Sequence, residues 1–347
     1  MNRFYSLKVS KIESLTEQSV KITFNLPEQL KNEFSFDAGQ YLTLQKTIQN
    51  QKVRRSYSIC SATDKLRLSI AVKRVPNGIF STYLTTVLKE GEALEVMPPQ
   101  GKFTFVPEFF QVFDTKSIML FAAGSGITPM MSIIKTALAK TAIKIVLVFG
   151  NKSKEETLFF SEIESLKAMY PTRFLVHYVF SQKATDGNFF GRIDEKLLED
   201  VLSRYQQLDF ERYYLCGQSK MIINLREKML ILGISTDKIA TEFFEVTESK
   251  NDFLQSSGNV LVTLDYNGKN LVFEADKKQS LLQAVLNQGI EVPYSCVNGV
   301  CSSCMAKVVE GKVQMVKNET LVQKEIDEGW VLMCQAYAFS DAVKVVY

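Results

Sequence analysis

The spacing of four cysteines constrains this chain more than any other feature. Cys296, Cys301 and Cys304 lie within nine positions, and Cys334 follows after a further twenty-nine residues. The whole chain of 347 residues has only six cysteines. A loop with three thiols so close together has to wrap tightly if all three are to reach one centre. The pattern therefore predicts a ligand loop joined by one distant ligand.

This order of ligands, C-x4-C-x2-C followed by a distant cysteine, is the plant-type set for a [2Fe–2S] cluster, whose irons prefer thiolate sulfur. The loop also contains the small residues Gly299, Ser302 and Ser303. Small residues let backbone N–H groups approach the sulfur atoms and offset the negative charge of a cluster. We therefore expect the four cysteines to be metal ligands.

Two other metal sites have to be weighed. A structural zinc site is the alternative, although zinc sites usually pair their ligands as two closely spaced knuckles, and here Cys334 stands alone. A Rieske centre needs two histidines, and His177 is the only histidine in the chain. We interpret His177 as an ordinary residue of the predicted strand "RFLVHYVF".

The segments before the cysteine loop predict a small module of sheet and helix. Asn267 and Gly268 join two β-rich runs, which is a strong hairpin signal. Ser280 and Gln283 then have the spacing of a capping box at the start of an apolar helix, and Gly289 can end that helix. With the motif "PYSCVNGVCSSC", residues 259–347 resemble a plant-type [2Fe–2S] ferredoxin of β-grasp fold.

Composition narrows the class of protein. The length predicts two or three domains. Hydrophobic residues make up 46% and charged residues 23%, as in a globular enzyme or carrier. The formal charge of +3 is nearly balanced, so no nucleic-acid partner is expected. We find neither a signal peptide nor a membrane-spanning run. We therefore expect a cytoplasmic protein, in which clustered cysteines are more often ligands than disulfides.

The middle of the chain alternates apolar runs with helical patterns, which predicts a doubly wound parallel sheet. Its first run leads into "GSGITP", residues 124–129. In such a sheet, a glycine-rich turn at the carboxyl end of a strand lets backbone amides bind a pyrophosphate. The third glycine of the dinucleotide fingerprint is absent, so a tight turn without a ligand is the alternative.

The first part of the chain reads as short strands with turn signals, the pattern of a small antiparallel β-barrel. Within it, "RRSYS" offers the cation Arg55, the aromatic ring of Tyr57 and the hydroxyl of Ser58. A flavin dinucleotide uses all three, because its pyrophosphate is anionic, its ring stacks on aromatic planes and its N5 atom takes a hydrogen bond. A solvated arginine and a core tyrosine are the alternatives. A turn with Gly78 and Ser81 follows and can supply phosphate-binding groups.

The ordered motifs "RRSYS", "VKR", "GIFS", "GKF", "GSGITP" and "CGQSKM" make residues 1–245 resemble the ferredoxin-NADP reductase family. Together with the ferredoxin-like end, the chain resembles the reductase components of bacterial multicomponent oxygenases. The expected architecture is multidomain. It consists of an FAD-binding β-barrel at 1–107, an NAD(P)-binding α/β domain at 108–245, a linker at 246–258 and the [2Fe–2S] domain at 259–347.

The resemblance also implies roles for individual residues. The residues implied to bind FAD are Arg55, Tyr57, Ser58, Val72, Lys73, Gly78 and Ser81. Those implied to lie along the nicotinamide nucleotide are Gly124, Gly126, Thr128, Pro129, Cys216 and Gly217. Ser58, Cys216 and Glu242 are the candidates for the hydride-transfer site, with Cys216 interpreted as a small buried residue and not as a nucleophile. Cys60 is expected to have no chemical role.

The choice of nucleotide is less constrained. Lys152, Ser181 and Lys183 offer cations and a hydroxyl where the family holds the adenosine ribose, and the sequence shows no acidic residue there to grip a 2′-hydroxyl. These residues predict a preference for NADPH over NADH.

The electron count gives the expected function. A hydride carries two electrons and a [2Fe–2S] cluster accepts one, and a flavin connects the two because it can pass electrons singly. The chain is thus expected to pass electrons from NAD(P)H through FAD and the cluster to an oxygenase. A fatty-acid desaturase, quinone, ferric chelate or flavodoxin is an alternative acceptor, and a nonenzymatic iron–sulfur electron carrier is an alternative of another class.

Overall fold

The computed structural model describes residues 3–63, 67–110, 116–182, 189–244 and 258–347. The chain divides into two compact units, Met1–Glu245 and Val246–Tyr347. The described part of the first unit contains two sheets, one antiparallel and one parallel. Among the described helices, none combines the length and the apolar character needed to cross a membrane.

The antiparallel sheet of the first unit has the strand order β4-β3-β6-β1-β2-β5. Its strands are β1 Tyr5–Thr16, β2 Ser19–Asn25, β3 Tyr41–Ile48, β4 Gln51–Ser58, β5 Leu68–Lys73 and β6 Ala93–Val96. Leu7 and Val9 are buried and alternate with exposed neighbours in β1, as expected for a strand with one face on a core. A bridge between Ile59 and Ile70 joins the chain after β4 to β5, so the two outer strands meet and the barrel closes.

A short helix connects β5 to β6. It consists of α1, Ile79–Thr82, and a π-helical turn, Tyr83–Val87. Phe80 and Leu84 on this helix are buried in the barrel core with Leu42 and Ile70. This packing fixes the start of the helix next to the carboxyl end of β5.

The second sheet of this unit is parallel, in the order β10-β9-β8-β7-β11-β12. Its strands are β7 Lys116–Ala123, β8 Lys144–Asn151, β9 Phe174–Phe180, β10 Phe189–Phe190, β11 Asp209–Gly217 and β12 Ile239–Phe243. The helices are α2 Ile127–Lys140, α3 Phe160–Met169, α4 Glu195–Arg204 and α5 Ser219–Ile231. β7 and β8 are continuous buried runs, as in parallel sheets covered on both faces.

The second unit has a mixed sheet with the order β14-β13-β19-β15-β17 and a two-stranded ribbon, β16-β18. Its strands are β13 Asn259–Tyr266, β14 Lys269–Asp276, β15 Met305–Glu310, β16 Val313–Met315, β17 Trp330–Leu332, β18 Ala336–Ala338 and β19 Ala342–Val346. The helices are α6 Leu281–Asn287 and α7 Gln323–Asp327. α6 packs its buried face, including Leu282 and Val285, on the same core as Val262 of β13.

The predicted fold class is confirmed. Asn267 and Gly268 form the tight turn of the β13–β14 hairpin with positive φ at both positions. The Ser280 side chain accepts a hydrogen bond from the Gln283 amide at the start of α6. The sequence pattern did not predict β6 or β10. The predicted linker, 246–258, lies outside the described residues apart from Gly258, so the exact domain boundaries stay predictions.

Candidate functional site

Three of the predicted site residues meet where the antiparallel and parallel sheets of the first unit face each other. Ser58 ends β4, and its hydroxyl donates a hydrogen bond to the Glu242 carboxylate at 3.3 Å. Cys216, near the end of β11, is the register partner of Glu242 in β12. Its thiol lies 4.0 Å from the same carboxylate oxygen. The three candidates for the hydride-transfer site therefore form one polar group.

Burial decides the protonation state of the thiols in this unit. Cys216 has no exposed surface, and burial, together with the neighbouring Glu242 charge, raises its pKa well above the usual value. Cys60 is equally buried, and burial raises its pKa to about 11. The raised pKa values keep both thiols neutral at physiological pH, and a neutral thiol is a poor nucleophile.

The other residues of "RRSYS" lie along β4. The Arg55 side chain is exposed, and one of its guanidinium nitrogens donates to the Arg54 carbonyl at 2.7 Å. The Tyr57 ring packs edge-on against Phe80, with centroids 6.2 Å apart. Burial raises the pKa of the Tyr57 hydroxyl, so this side chain stays uncharged. An exposed cation and a fixed aromatic ring next to Ser58 are suitable groups for a flavin dinucleotide.

The remaining predicted flavin-binding residues follow β5. Val72 is buried in the barrel and pairs with Val20 of β2. The Ser81 hydroxyl accepts a hydrogen bond from the Val75 amide at 3.1 Å and donates to the Gly78 carbonyl at 3.2 Å. It thus holds the turn before α1 in shape. Among the described side chains none caps the first turn of α1, so the amides of that turn are suited to an anionic group.

The glycine-rich turn follows β7 at the carboxyl end of the parallel sheet. Gly124 has a positive φ of 54°. Gly126 lies so close to the Cys216 carbonyl that a Cβ atom at this position would clash with it. Thr128 and Pro129 are buried in the first turn of α2, and the Thr128 hydroxyl donates to the Ser125 carbonyl at 2.9 Å. This packing brings the turn next to Cys216.

Gly217 completes that approach from β11. Its φ is 149°, and a Cβ atom there would lie 2.9 Å from the Ala123 side chain. Only glycine fits this position, where the ends of β7 and β11 come together. At the carboxyl edge of the sheet, Gly217 thus has no side chain to cover the main chain where these two strands end. A dinucleotide can lie close to the main chain on such a surface.

The residues predicted to choose between NADPH and NADH are only partly described. Lys152 follows β8, and Ser181 follows β9 and donates its amide to the Asn151 carbonyl at 3.0 Å. Lys183 lies outside the described residues. An acidic side chain does lie beside these cations, because one Glu156 carboxylate oxygen is 3.8 Å from both the Lys152 and the Lys73 ammonium. The expectation that no acidic residue grips a 2′-hydroxyl stays a prediction.

This carboxylate has two consequences. Lys152 does not present a free cation, since Glu156 partly neutralises it. Lys73, which the resemblance to the reductase family assigned to FAD, also links the end of β5 to the loop after β8. Its role at FAD stays a prediction. Glu156 lies in the loop after β8, outside every motif of the sequence, so no local pattern predicted its place beside the two lysines.

The four cysteines of the second unit interact as two pairs. Cys296 and Cys301 form one pair, in which the Cys296 amide donates to the Cys301 sulfur at 3.4 Å. Cys304 and Cys334 form the other. Within the described residues, no group of three or more Cys, His, Asp or Glu side chains is arranged around a single metal ion. A two-iron cluster instead takes two thiolates for each iron.

Donors around the sulfur atoms match an anionic cluster. The Asn298 amide donates to the Cys296 sulfur at 3.3 Å, and the Gly299 amide bonds to Cys334. Hydrogen bonds from the Cys296 thiol and from the side chain and backbone of Ser303 lower the pKa of Cys301 to about 6. Hydrogen bonds from the Cys304 thiol and from the Gly299 amide likewise lower the pKa of Cys334. Within each pair the partner thiol and burial raise the pKa of the other cysteine, Cys296 or Cys304. Each pair therefore favours one thiolate, the form that binds iron, at Cys301 and at Cys334.

Gly299 allows the two cysteine segments to meet. It has a φ of 73°, and a Cβ atom there would lie 2.9 Å from the Gln335 side chain and 3.0 Å from the Lys317 carbonyl. Gln335, next to Cys334, also donates to the Val297 carbonyl at 3.1 Å. The residues present therefore fit a [2Fe–2S] cluster, with the cysteine loop and Cys334 held together by backbone contacts.

Three protein-family models match the chain. An oxidoreductase FAD-binding domain matches residues 6–105, an oxidoreductase NAD-binding domain matches residues 120–227, and a 2Fe-2S iron-sulfur cluster binding domain matches residues 264–339. Together these matches cover the barrel, most of the parallel sheet and the cysteine loop described above.

Curated relatives match over nearly the whole chain. A component of 1,2-phenylacetyl-CoA epoxidase from Escherichia coli is 37% identical, with 99% of this chain and 98% of the relative covered. The chain belongs to this family of oxygenase reductase components. The ferredoxin reductase component of a 3-ketosteroid-9-alpha-monooxygenase from Rhodococcus rhodochrous is 31% identical, with 100% and 97% covered.

Solved structures share the fold of the reductase. Phthalate dioxygenase reductase has a TM-score of 0.64 at 24% identity, with 99% of this chain and 98% of that chain covered. A type IV self-sufficient cytochrome P450 monooxygenase has a TM-score of 0.71 at 22% identity, with 99% of this chain and 41% of that chain covered.

One further polar group of the reductase lies at the predicted nucleotide site. The side-chain nitrogen of Asn151 is buried at the end of β8 and has no hydrogen-bond partner among the described residues. A buried donor without a partner is costly in a folded protein. Its position at the carboxyl edge of the sheet suits a hydrogen-bond acceptor of a bound ligand. In the sequence, the only sign of this role was the place of Asn151 between "FG" and Lys152, at the end of a predicted strand.

Proposed function

We propose that this reductase passes electrons from a nicotinamide nucleotide to the oxygenase component of a multicomponent system that acts on a coenzyme A thioester, as the name of its Escherichia coli relative describes. The observation that carries the proposal is the group formed by Ser58, Cys216 and Glu242 in a chain that also holds two cysteine pairs. A carrier without nucleotide chemistry has no use for the first of these sites.

Residues of the barrel would hold FAD. We assign its pyrophosphate to the Arg55 guanidinium and to the amides after Gly78, since both present positive charge or N–H donors. Tyr57 would lie along the flavin ring, and Val72 would border it through its backbone. Ser81 supports this site by fixing the turn that precedes α1. Lys73 would act through its ion pair with Glu156.

Residues of the parallel sheet would hold the nicotinamide nucleotide. Gly124, Gly126, Thr128 and Pro129 would line its path at the start of α2, and Gly217 would leave room for it at the end of β11. The Asn151 amide would donate to an oxygen atom of the nucleotide, because its nitrogen is otherwise unpartnered among the described residues.

When bound, the flavin accepts a hydride from the nucleotide, and the iron–sulfur cluster accepts electrons one at a time. The protein contributes orientation. The Ser58 hydroxyl is held by Glu242 Oε2, so its position is fixed. Cys216 stays protonated and supplies a small neutral surface. Glu242 provides a negative charge that favours positive charge developing nearby.

The second unit would hold the cluster. Cys296 and Cys301 would bind one iron, and Cys304 and Cys334 the other, as their pairing indicates. We also propose the domain boundaries 1–107, 108–245 and 259–347, with the linker at 246–258, and a cytoplasmic location. Clustered cysteines that serve as metal ligands are more common in a reducing compartment than in an oxidising one.

Reconstitution tests this function. Affinity capture from an extract of the native cells should recover an oxygenase, and the purified pair should couple NAD(P)H oxidation to substrate oxygenation. A desaturase captured in its place, or quinone, ferric-chelate or flavodoxin reduction that outpaces oxygenase reduction, would contradict the proposed acceptor. A protein that oxidises no NAD(P)H with any acceptor would be a carrier and not a reductase.

A further inference from the structure

A buried lysine in the second unit has a carboxylate near its ammonium group but no hydrogen bond to that group among the described residues. The Lys317 side chain is only 8% exposed. Its ammonium nitrogen has no hydrogen-bond partner among the described residues. The Glu319 carboxylate lies 3.7 Å away, beyond hydrogen-bond distance. Burying an ammonium without hydrogen bonds is unfavourable unless nearby negative charge compensates it.

The segment that contains Lys317 borders both cysteine segments. The Lys317 carbonyl lies 3.0 Å from where a Cβ atom on Gly299 would stand, and Gly299 lies between Cys296 and Cys301 in the sequence. The Glu319 amide donates to the Gly299 carbonyl at 3.1 Å. On the other side, the Val316 amide donates to the carbonyl of Gln335, the neighbour of Cys334, at 2.9 Å. The Lys317 backbone is therefore fixed next to the loop that carries the thiols, so its ammonium lies within one side-chain length of that contact.

A charge at this position is poorly screened. At ordinary ionic strength, dissolved salt largely screens the interaction between exposed charges more than about 10 Å apart, but it screens buried charges much less. The four thiolates and the cluster that they would bind form an anionic centre, and uptake of one electron adds one further negative charge to it. A buried ammonium nearby stabilises the reduced form more than the oxidised form, because the reduced form is more negative.

We propose that Lys317 sets the reduction potential of the cluster. Its ammonium raises the potential by stabilising the one-electron-reduced state, and Glu319 moderates the effect by partly neutralising the ammonium. The electron comes from the reduced flavin of the same chain and passes on to the partner, with no bond made or broken at Lys317. This inference rests on the proposed binding of a [2Fe–2S] cluster by the four cysteines.

Potentiometric titration of the full-length holoprotein, followed by the EPR signal of the reduced cluster, tests the proposal. Lys317→Met removes the charge and keeps an unbranched apolar chain, and Glu319→Gln removes the opposite charge at the same shape. Lys324→Met is the matched control, because Lys324 is an exposed lysine of α7 in the same unit. Iron and sulfide content are measured first for every variant.

We expect Lys317→Met to shift the cluster midpoint to more negative potential, Glu319→Gln to shift it to more positive potential, and Lys324→Met to leave it in place. A Lys317→Met protein with a full cluster and an unchanged midpoint would overturn the proposal. If Lys317→Met weakens cluster retention, the midpoint potential of Glu319→Gln alone decides the test. An unchanged or more negative midpoint in that variant overturns the proposal. Absence of a cluster from the unmodified protein would instead contradict the proposed function.

Discussion

The Ser58 hydroxyl and the Glu242 carboxylate lie 3.3 Å apart, although the two residues are separated by 184 positions in the chain. Ser58 ends strand β4 of the antiparallel barrel, and Glu242 lies in β12, the outer strand of the parallel sheet. The hydrogen bond therefore joins the two halves of the proposed hydride-transfer site. Substitutions on either side should affect the same step.

Ser58→Ala and Glu242→Gln should each lower kcat for NAD(P)H-dependent ferricyanide reduction by about 10- to 100-fold, since a hydrogen bond to a charged group contributes about 1.5–3 kcal/mol. FAD content should stay unchanged. The double variant should lose little more than either single variant, because both remove the same contact.

The matched control for Glu242 is Thr241→Val, because alternate residues of β12 point to opposite faces of the sheet. Its activity should stay close to that of the unmodified reductase. Additive losses in the Ser58→Ala, Glu242→Gln double variant would show that the two residues act independently and would refute the shared role.

The Glu156 carboxylate should influence the choice of nucleotide. Glu156→Gln frees the Lys152 ammonium, so kcat/KM for NADPH relative to NADH should rise by a factor of about 1.4 to 5, the range expected from a partly exposed ion pair of about 0.2–1 kcal/mol. Lys152→Gln should change the ratio in the opposite direction. Glu227→Gln, an exposed change on α5, is the control.

The unmodified reductase should prefer NADPH, as Lys152 and Ser181 predict. Steady-state kinetics with both nucleotides decide this point. If kcat/KM for NADH equals or exceeds that for NADPH, the preference is wrong. An unchanged ratio in Glu156→Gln would show that this carboxylate does not act on the nucleotide.

Local sequence patterns predicted the fold class and most of the helices and strands, whereas they did not predict contacts between segments that are distant in the chain. The β13–β14 hairpin and the start of α6 followed from short-range signals at Asn267, Gly268 and Ser280. β6 has only four residues, too few for a clear alternating pattern. β10 has two. Such strands form because a neighbouring strand offers hydrogen bonds, which local propensity does not report.

The candidate site shows the same division. The cysteine spacing and the glycine-rich turn were visible because they are local. The ion pairs of Glu156 with Lys73 and Lys152 depend on how β5 approaches the loop after β8. The buried state of Lys317 depends on its packing beside Gly299. Neither packing arrangement has a signature in the sequence.

Replacement of Cys296, Cys301, Cys304 or Cys334 by Ser should abolish or severely weaken retention of the cluster, because each supplies one of the four thiolates. The unmodified protein should be brown and give one EPR signal of about one spin per chain after reduction with dithionite. Cys60→Ser and Cys216→Ser should keep the signal. A colourless protein that contains zinc and no iron would contradict the ligand assignment.

His177 should make the first unit sensitive to acid. Its ring nitrogen lies 2.6 Å from the Tyr205 hydroxyl, and burial, with help from the Arg204 and Lys167 charges, lowers its pKa to about 4. The unfolded chain binds a proton at a pKa of about 6.5. Stability should therefore be complete above about pH 6.5 and fall as the pH drops toward 4, by about 1–2 kcal/mol after allowance for solvent screening.

Urea unfolding at about pH 7.5 and about pH 5, followed by flavin fluorescence, measures this effect. His177→Gln should lose the part of the pH dependence that comes from the ring, and since the chain has one histidine, no other imidazole can replace it. Equal acid sensitivity in the variant and the unmodified reductase would rule out His177 as the source.

The central claim is that electrons enter at the flavin and leave through the cluster, and truncation tests it most directly. A chain that ends after Lys250 should keep FAD and reduce ferricyanide with NAD(P)H, because ferricyanide takes electrons from flavin directly. Its reduction of cytochrome c or of the oxygenase should fall to a small fraction of that of the full chain. Adding the separate fragment from Ser257 should restore only part of the rate, since a tether can supply an effective concentration of about 1 mM. Unchanged reduction of protein acceptors by the truncated chain would show that the cluster is not on the main electron route.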